Sequence, residues 1–169
     1  MSDVSASHRA SAPQVVRCAV VTISDTRTVA TDTGGQQAIS LIEAAGHVVA
    51  AREIIADEPE RIRAVLQSFC GRGDIDVVLL TGGTGLSRRD QTFETVTAML
   101  TKPLPGYGEL FRMLSYQEIG PAAMLSRAVG GLIGTTAVLT MPGSPAAVRL
   151  ALERLIIAEL GHIVREARR

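Results

Sequence analysis

Residues 81–90, with the sequence TGGTGLSRRD, carry a dense group of side chains that could bind an anion. Glycines let a backbone turn sharply and approach a ligand closely, so that peptide N–H groups face it. Hydroxyl and guanidinium groups bind phosphate oxygens, and the carboxylate of Asp90 can bind magnesium. The combination predicts a loop that holds phosphate beside a divalent cation. The alternative is an ordinary glycine-rich turn with solvated arginines, since neither GxxxxGK[ST] nor GxGxxG is present.

Three further polar segments follow predicted strands, and they contain Ser24 and Asp25, Asp57, and Gly143 and Ser144. In an open parallel sheet, ligands bind beyond the carboxyl ends of the strands, so we expect these segments to converge on the glycine loop. Structural alternatives exist, because Asp57 could cap the helix that follows it and Ser144 could cap the last helix. The two roles of Ser144 are compatible, since a helix N-terminus also binds anions.

Arg127 lies between apolar residues in the segment LSRAV. A buried guanidinium group needs a partner, and either an acidic neighbour or a bound phosphate would serve. His47 and His162 have no carboxylate or second histidine at a ligand-like spacing, so we interpret both as structural or exposed residues.

The elements that must position these loops alternate between strand-like and helix-like segments, which predicts an α/β fold with a doubly wound sheet. Strands are predicted at 17–23, 48–55, 75–80 and 136–140, and a further strand is expected to end at Ile133. Helices are predicted at about 34–45, after Asp57, from a Thr92 cap, at 107–119 and from Pro145 onward. Gly134 and Thr135 suit a tight turn.

The chain has 169 residues, 46% of them hydrophobic, which suits one buried core. We predict a disordered tail at residues 1–14 and a single domain at 15–169. A formal net charge of +0 and 3% aromatic residues argue against a nucleic-acid partner. No apolar stretch approaches the roughly 20 residues that cross a membrane, so we expect a cytoplasmic protein without a membrane partner. Cys18 and Cys70 are expected to be buried and reduced.

Five blocks of the sequence resemble one known family, the molybdopterin-binding proteins of molybdenum cofactor biosynthesis of the MoaB/MogA type. They are TISD (22–25), TGGTGLSRRD (81–90), PGYGELFR (105–112), LSRAVGG (125–131) and MPGSP (141–145). The blocks occur in order between Val20 and about Ile156, and the stretch FRMLSYQEIG (111–120) is closer to the MoaB branch.

The resemblance implies a three-layer α/β/α fold, a mostly parallel sheet with an antiparallel edge, and a homo-oligomer that is a trimer or a dimer of trimers. In active members, the terminal phosphate of molybdopterin attacks the α-phosphate of Mg-ATP, which yields adenylylated molybdopterin and pyrophosphate. By motif match, Asp57 and Asp90 would be the catalytic pair and would bind Mg²⁺. The pterin-phosphate side would be lined by Gly82, Gly83, Thr84, Ser126, Arg127, Gly143 and Ser144, with Ser24 and Asp25 as further candidates for that pocket.

Two departures from the family pattern keep a second function open. Active members often read Asp-x-Thr-Pro-Glu where this chain has Asp90-Gln91-Thr92-Phe93-Glu94, and they often carry a basic residue where this chain has Gly134-Thr135. Some proteins of the MoaB branch lack transferase activity, so the alternative is a molybdopterin-binding or carrier protein without ATP chemistry. A nucleotide pyrophosphatase, which uses a related domain in longer chains, is disfavoured by the absence of an extra domain.

Overall fold

A six-stranded sheet forms the centre of the computed structural model, which describes residues 12–169. The strands are β1 (Arg17–Ile23), β2 (Val48–Ile55), β3 (Val77–Thr81), β4 (Lys102–Pro103), β5 (Gly130–Ile133) and β6 (Thr136–Met141). Across the sheet their order is β2-β1-β3-β6-β5-β4. The first four of these are mutually parallel, whereas β5 and β4 are antiparallel to their neighbours. The predicted α/β class, with an antiparallel edge, is confirmed.

Helices cover both faces of this sheet. They are α1 (Thr33–Ala44), α2 (Pro59–Cys70), α3 (Thr92–Met99), α4 (Pro105–Ile119), α5 (Pro145–Ala151) and α6 (Ile157–Ala167). A 3₁₀ helix (Gly120–Leu125) follows α4, and a π-helical segment (Leu152–Ile156) joins α5 to α6.

Alternate residues of the central strands build two separate apolar clusters. Val77 and Leu79 of β3 pack with α1, α4, α5 and α6, whereas Val78 and Leu80 pack with α2 and α3. Side chains of a strand point alternately to its two faces, so a strand buried on both sides reads as a continuous apolar run. The result is the three-layer arrangement, in which β3 and β6 lie at the centre of the sheet.

Several predicted boundaries agree with the structure. The bounds of β1 and β2 are those expected, and β5 and β6 form an antiparallel pair joined at Gly134, whose φ is +60°. Ser144 caps α5, because its Oγ accepts a hydrogen bond from the N–H of Ala147 at 3.3 Å.

Two predicted helix caps are wrong. Glu58 occupies the N-cap position of α2, and the carboxylate of Asp57 instead accepts a hydrogen bond from the N–H of Gln91. Thr92 is the first residue of α3 rather than its cap, and the capping residue, Gln91, makes no side-chain capping bond. For Asp57 a tertiary contact, and not the local chain, decides where the side chain lies, whereas the backbone N–H of Thr92 donates to the carbonyl of Gly83.

The amino edge of the sheet is closed by a buried carboxylate. Asp76, just before β3, accepts hydrogen bonds from the backbone N–H of Arg17 at 2.8 Å and from its Nε at 3.1 Å and Nη2 at 2.7 Å. Arg168, beyond the end of α6, also donates to Asp76. This cluster therefore ties the first strand and the C-terminal helix to the approach of β3.

The predicted tail, residues 1–14, falls largely on residues 1–11, which lie outside the described part of the chain. Ala12 and Pro13 are half-buried, and the carbonyl oxygen of Pro13 lies 2.6 Å from the point where a Cβ on Gly161 would stand. Within residues 12–169, no helix is long and apolar enough to cross a membrane.

Both cysteines are free thiols. Cys18 is buried, as predicted, but Cys70 at the end of α2 is only half-buried. Burial raises the pKa of the Cys18 thiol to about 12 and that of Cys70 to about 11. Both thiols are therefore protonated and unreactive at neutral pH.

Candidate phosphate and cation site

The polar segments that follow β1, β2, β3 and β6 meet at the carboxyl edge of the sheet. The N–H of Gly82 donates to the carbonyl of Met141 at 3.0 Å, and the hydroxyl of Thr81 donates to the carbonyl of Pro142 at 3.2 Å. A Cβ on Gly143 would stand 3.4 Å from the Cα of Gly82. The glycine loop (residues 82–90) therefore packs directly on the segment that leads into α5.

Gly82 and Gly83 are required by the backbone at this point. Their φ angles are +105° and +63°, in the region that side chains disfavour. A Cβ on Gly82 would lie 2.2 Å from the carbonyl oxygen of Ile23, at the end of β1. These two positions let the loop pass between the neighbouring strand ends.

Asp57 is buried, with 6% of its surface exposed, and is held by the other loops. Its Oδ1 accepts a hydrogen bond from the N–H of Gln91 at 3.1 Å, and its own N–H donates to Oδ1 of Asp25 at 3.2 Å. Burial raises the pKa of the Asp57 carboxyl, the Gln91 hydrogen bond opposes this, and the charges of Asp90 and Asp25 raise it further. The charge of Arg89 offsets part of this shift, and the net effect makes the ionised form of Asp57 less favourable than that of a free carboxyl group.

Asp90 is half-buried at the end of the glycine loop. Its Oδ2 accepts a hydrogen bond from the N–H of Ser87 at 2.9 Å, and its N–H donates to the carbonyl of Ser87 at 3.0 Å. The side chain thereby closes the turn that contains Arg88 and Arg89. The same carboxylate is near enough to Asp57 to act on its ionisation, so the structure brings the two predicted acidic residues together.

Asp25 connects the first loop to the third. Its two carboxylate oxygens accept hydrogen bonds from Nε and Nη2 of Arg89 at 2.7 and 2.9 Å. These side-chain hydrogen bonds lower the pKa of Asp25; burial opposes them, and the hydrogen bond from the Asp57 N–H lowers it further. Ser24, beside it, shapes its own turn by accepting from the N–H groups of Thr26 and Arg27 at 3.3 and 3.2 Å.

The sequence left open whether Arg127 pairs with an acidic residue or with a phosphate. In the structure its partner is an acidic residue. Its Nη1 pairs with Glu94, while its Nε and Nη2 donate to carbonyl oxygens of the glycine loop, those of Thr84 and Asp90 at 3.3 Å each and that of Gly85. The guanidinium carbon also lies 5.2 Å from the centre of the Phe93 ring. These contacts are with the protein itself.

Ser126 precedes Arg127 in the chain. It lines a cavity of about 360 Å³ together with Arg112, Arg127 and Phe93. Its Oγ is buried and has no hydrogen-bond partner among residues 12–169. Thr84 is buried, whereas Gly143 and Ser144 are exposed at the start of α5. The predicted substrate-binding residues therefore surround the glycine loop on two sides instead of forming one compact cluster.

Asp32 is a buried residue at this edge that the sequence analysis missed. Oδ1 of Asp32 accepts a hydrogen bond from the N–H of Gly35, and Asp32 thereby caps α1. Its Oδ2 accepts hydrogen bonds from the hydroxyl of Thr22 at 2.8 Å and from the guanidinium group of Arg52 at 3.0 Å. The capped end of α1 faces the site, since a Cβ on Gly34 would stand 2.7 Å from the carbonyl oxygen of Gly143. The spacing of Asp32 before Gly35 was a signal for this cap.

In the part of the chain that the structure describes, no group of three or more His, Cys, Asp or Glu residues could hold a metal ion. Asp57 and Asp90 offer two carboxylates. Magnesium commonly binds one or two protein carboxylates and completes its coordination with water and substrate phosphates, so the donor set fits that ion.

An open, mostly parallel sheet with a glycine loop and two carboxylates at its carboxyl edge is typical of α/β proteins that bind phosphate-bearing ligands. Comparisons with known proteins narrow this class. Residues 19–162 match the family described as "Probable molybdopterin binding domain". The molybdenum cofactor biosynthesis protein B of Bacillus anthracis is 53% identical over 163 residues, which cover 96% of each chain.

Comparison with solved structures supports the same family. A crystal structure of a molybdenum cofactor biosynthesis protein B is 53% identical, has a TM-score of 0.90, and is matched over 93% of this chain and 98% of its own. The tungsten cofactor synthesizing protein MoaB from Pyrococcus furiosus is 35% identical, with a TM-score of 0.83 and coverage of 94% and 100%. The chain therefore belongs to the molybdopterin-binding family of molybdenum cofactor biosynthesis proteins.

Proposed function

We propose that this protein transfers the adenylyl group of Mg-ATP to the terminal phosphate of molybdopterin. The observation that carries the proposal is the placement of two carboxylates on adjacent loops at the carboxyl edge of the sheet, Asp57 against Gly83 and Asp90 against Gly85. The attacking group is already an anionic phosphate monoester. The protein therefore needs neither a general base nor a covalent nucleophile, but must position two polyanions and offset their repulsion.

The chain contains groups suited to both tasks. The backbone of Gly82 and Gly83, the hydroxyl of Thr84 and the capped N-terminus of α5 at Gly143 and Ser144 are proposed to hold the pterin phosphate. Ser126 extends this side into the cavity. Ser24 and Asp25 keep the first loop against Asp57 and Arg89. Arg127, whose donors face the loop carbonyls and Glu94, is proposed to serve binding by holding the glycine loop in place.

Asp57 and Asp90 are proposed to hold Mg²⁺. When bound, the ion would neutralise charge on the phosphates of ATP and bring them beside the carboxylates. The structure supports this assignment through the electrostatics of Asp57, because an ionised carboxylate that is buried beside two others is stabilised by a cation.

The test is to incubate the purified protein with molybdopterin and Mg-ATP and to measure adenylylated product by mass spectrometry. Asp90→Asn keeps an acceptor for the N–H of Ser87 but removes the charge, so we expect loss of product with molybdopterin binding retained. Asp74→Asn is the matched control, because Asp74 is exposed and pairs with Arg72.

Near-normal turnover by Asp90→Asn would contradict the metal-binding role of Asp90. A wild-type protein that binds molybdopterin but forms no adenylylated product would instead establish the carrier alternative.

The protein is also proposed to form a trimer or a dimer of trimers. Large apolar side chains are exposed along α4 and the 3₁₀ helix, including Met113, Tyr116, Ile119 and Met124. Exposed apolar patches of this kind commonly mark protein interfaces. Light scattering at micromolar concentration should give a trimeric or hexameric mass, and a monomeric mass would contradict the proposal.

A further inference from the structure

Thr92 presents a hydroxyl group without a hydrogen bond at the centre of the site. The residue is fully buried, and its Oγ1 has no hydrogen-bond partner in the described chain. Buried polar atoms in native proteins are almost always hydrogen-bonded, and an exception at a functional site calls for an explanation. The hydroxyl is too enclosed to reach a substrate phosphate directly, so its function must be sought among its immediate neighbours.

The backbone around Thr92 is fastened to the two central parts of the site. The N–H of Thr92 donates to the carbonyl of Gly83 at 3.1 Å, and the N–H of the preceding residue, Gln91, donates to Oδ1 of Asp57 at 3.1 Å. These two hydrogen bonds therefore connect the first turn of α3 to Gly83 and to Asp57. Among residues 12–169, Oδ2 of Asp57 accepts no hydrogen bond, which leaves this oxygen as the free acceptor of the carboxylate.

The position of Gly83 shows how close Oγ1 of Thr92 is to Oδ2 of Asp57. A Cβ on Gly83 would stand 2.1 Å from Oγ1 of Thr92 and 2.4 Å from Oδ2 of Asp57. Both oxygens thus border the small space that the missing side chain leaves open. A free donor and a free acceptor face the same point, and rotation of either side chain can bring them into contact.

We propose that Thr92 is a positioning residue for Asp57, whose hydroxyl donates a hydrogen bond to Oδ2 and fixes the orientation of that carboxylate. Its consequence for cation binding rests on the proposed role of Asp57 in holding Mg²⁺. With Oδ1 held by Gln91 and Oδ2 by Thr92, both oxygens of the carboxylate are fixed, and Oδ2 keeps a lone pair for a cation. Partners that orient a metal-binding side chain typically change metal affinity or activity by 10- to 100-fold when removed.

The variants separate the hydroxyl from the shape of the residue. Thr92→Val keeps the branched shape and removes the hydroxyl, whereas Thr92→Ser keeps the hydroxyl. Thr95→Val is the matched control, because Thr95 is a buried threonine about one turn further along the same helix. Thr92→Ala provides a second variant without the hydroxyl if Thr92→Val fails to fold, as judged by circular dichroism.

The first measurement needs neither metal nor nucleotide. In protein labelled with ¹³C at the aspartate carboxyl carbons, Asp57 is assigned through Asp57→Asn. Its signal at fixed neutral pH should move in Thr92→Val but stay close to the wild-type position in Thr92→Ser and Thr95→Val. An unchanged Asp57 signal in Thr92→Val would overturn the proposed contact, whatever reaction the protein catalyses.

The second measurement tests the consequence for the cation. Mn²⁺ binding is measured by calorimetry in the presence of α,β-methylene-ATP, an analogue that cannot be cleaved at the transferred phosphate. We expect Thr92→Val to weaken Mn²⁺ binding about tenfold and Thr92→Ser to restore it. Equal affinities in wild type and Thr92→Val would overturn the positioning role. If wild type bound no Mn²⁺ but the Asp57 signal responded to Thr92, the contact would stand and the metal proposal would fall.

Discussion

Asp57 illustrates, at the scale of a single residue, how a functional group opposes folding. Burial, together with the charges of Asp90 and Asp25, raises the pKa of its carboxyl above the value of an unfolded chain, against the opposing hydrogen bond of Gln91. For an acid, a raised pKa in the folded state means that ionisation at neutral pH reduces the free energy of unfolding. Strained or unfavourable groups of this kind are common where activity requires them.

Asp57→Asn should therefore stabilise the protein while abolishing adenylylation. The amide retains an acceptor for the Gln91 N–H and removes the buried charge, so we expect the free energy of unfolding at pH 7 to increase by roughly 1 kcal/mol. Below the unfolded pKa of about 3.9, the carboxyl is neutral in both states and the gain should vanish. Urea unfolding at pH 7 and at pH 3.5 measures the difference. A variant less stable than wild type at pH 7 would contradict this account.

Part of the site could be predicted at this scale from the sequence. Gly82, Gly83 and Asp90 stand in one recognisable block, Asp57 follows a predicted strand, and the structure places them at one edge of the sheet. The caps assigned to Asp57 and Thr92 were wrong because capping patterns consider only the local chain. The hydrogen-bond partner of Asp57, Gln91, lies 34 residues away, and no local pattern reveals it.

At the scale of elements, Arg127 holds the glycine loop in place through hydrogen bonds. Three loop carbonyls accept from this guanidinium group, and Glu94 on α3 neutralises it. A lysine has neither the planar geometry nor the number of donors needed to replace these contacts. The loop and α3 are therefore joined through one side chain, which is 20% exposed.

Arg127→Ala should destabilise the protein by about 2 kcal/mol and weaken molybdopterin binding, and Arg127→Lys should recover little of either. Hydrogen exchange of the amides at 84–90, compared with urea unfolding, measures loop order and stability separately. Glu94→Gln distinguishes two reasons for the loss of binding. If Arg127 serves through the loop, Glu94→Gln loosens the loop and weakens binding, whereas tighter molybdopterin binding would show that the freed guanidinium contacts the phosphate itself.

The elements themselves were largely predictable, with exceptions that have physical causes. Apolar runs located β1 and β6, because strands buried on both faces leave a clear signal, and the half-buried edge strand β2 was also located. The two-residue strand β4 was not predicted, since Lys102 and Pro103 read as a helix terminator and become a strand only by pairing with Leu132 and Gly131 of β5. The π-helical segment Leu152–Ile156 was also missed, because its apolar stripe continues that of the flanking helices.

At the scale of the whole molecule, the candidate site and the buried Asp76 cluster lie at opposite edges of the sheet. The carboxyl edge gathers carboxylates and open loops, whereas the amino edge gathers Arg17 and Arg168 around the buried Asp76. Burial raises the pKa of Asp76, but hydrogen bonds from the side chain and backbone of Arg17 and the charge of Arg168 lower it, and the net shift is downward. This carboxylate therefore stabilises the fold when ionised, in contrast to Asp57.

Asp76→Asn should destabilise the protein by about 2 kcal/mol at pH 7, because Arg17 and Arg168 lose the charged acceptor of their hydrogen bonds. A lowered folded pKa contributes stability that is present above the unfolded pKa, about 3.9, and is lost as the pH falls through the folded pKa. The difference between wild type and Asp76→Asn should thus be largest at neutral pH and should shrink as the pH falls below about 4. Urea unfolding from pH 7 to pH 3 measures it, with Asp74→Asn as the exposed control. Parallel pH curves for wild type and Asp76→Asn would refute the role of Asp76, and because the site lies at the other edge, molybdopterin binding by the folded variant should equal that of wild type.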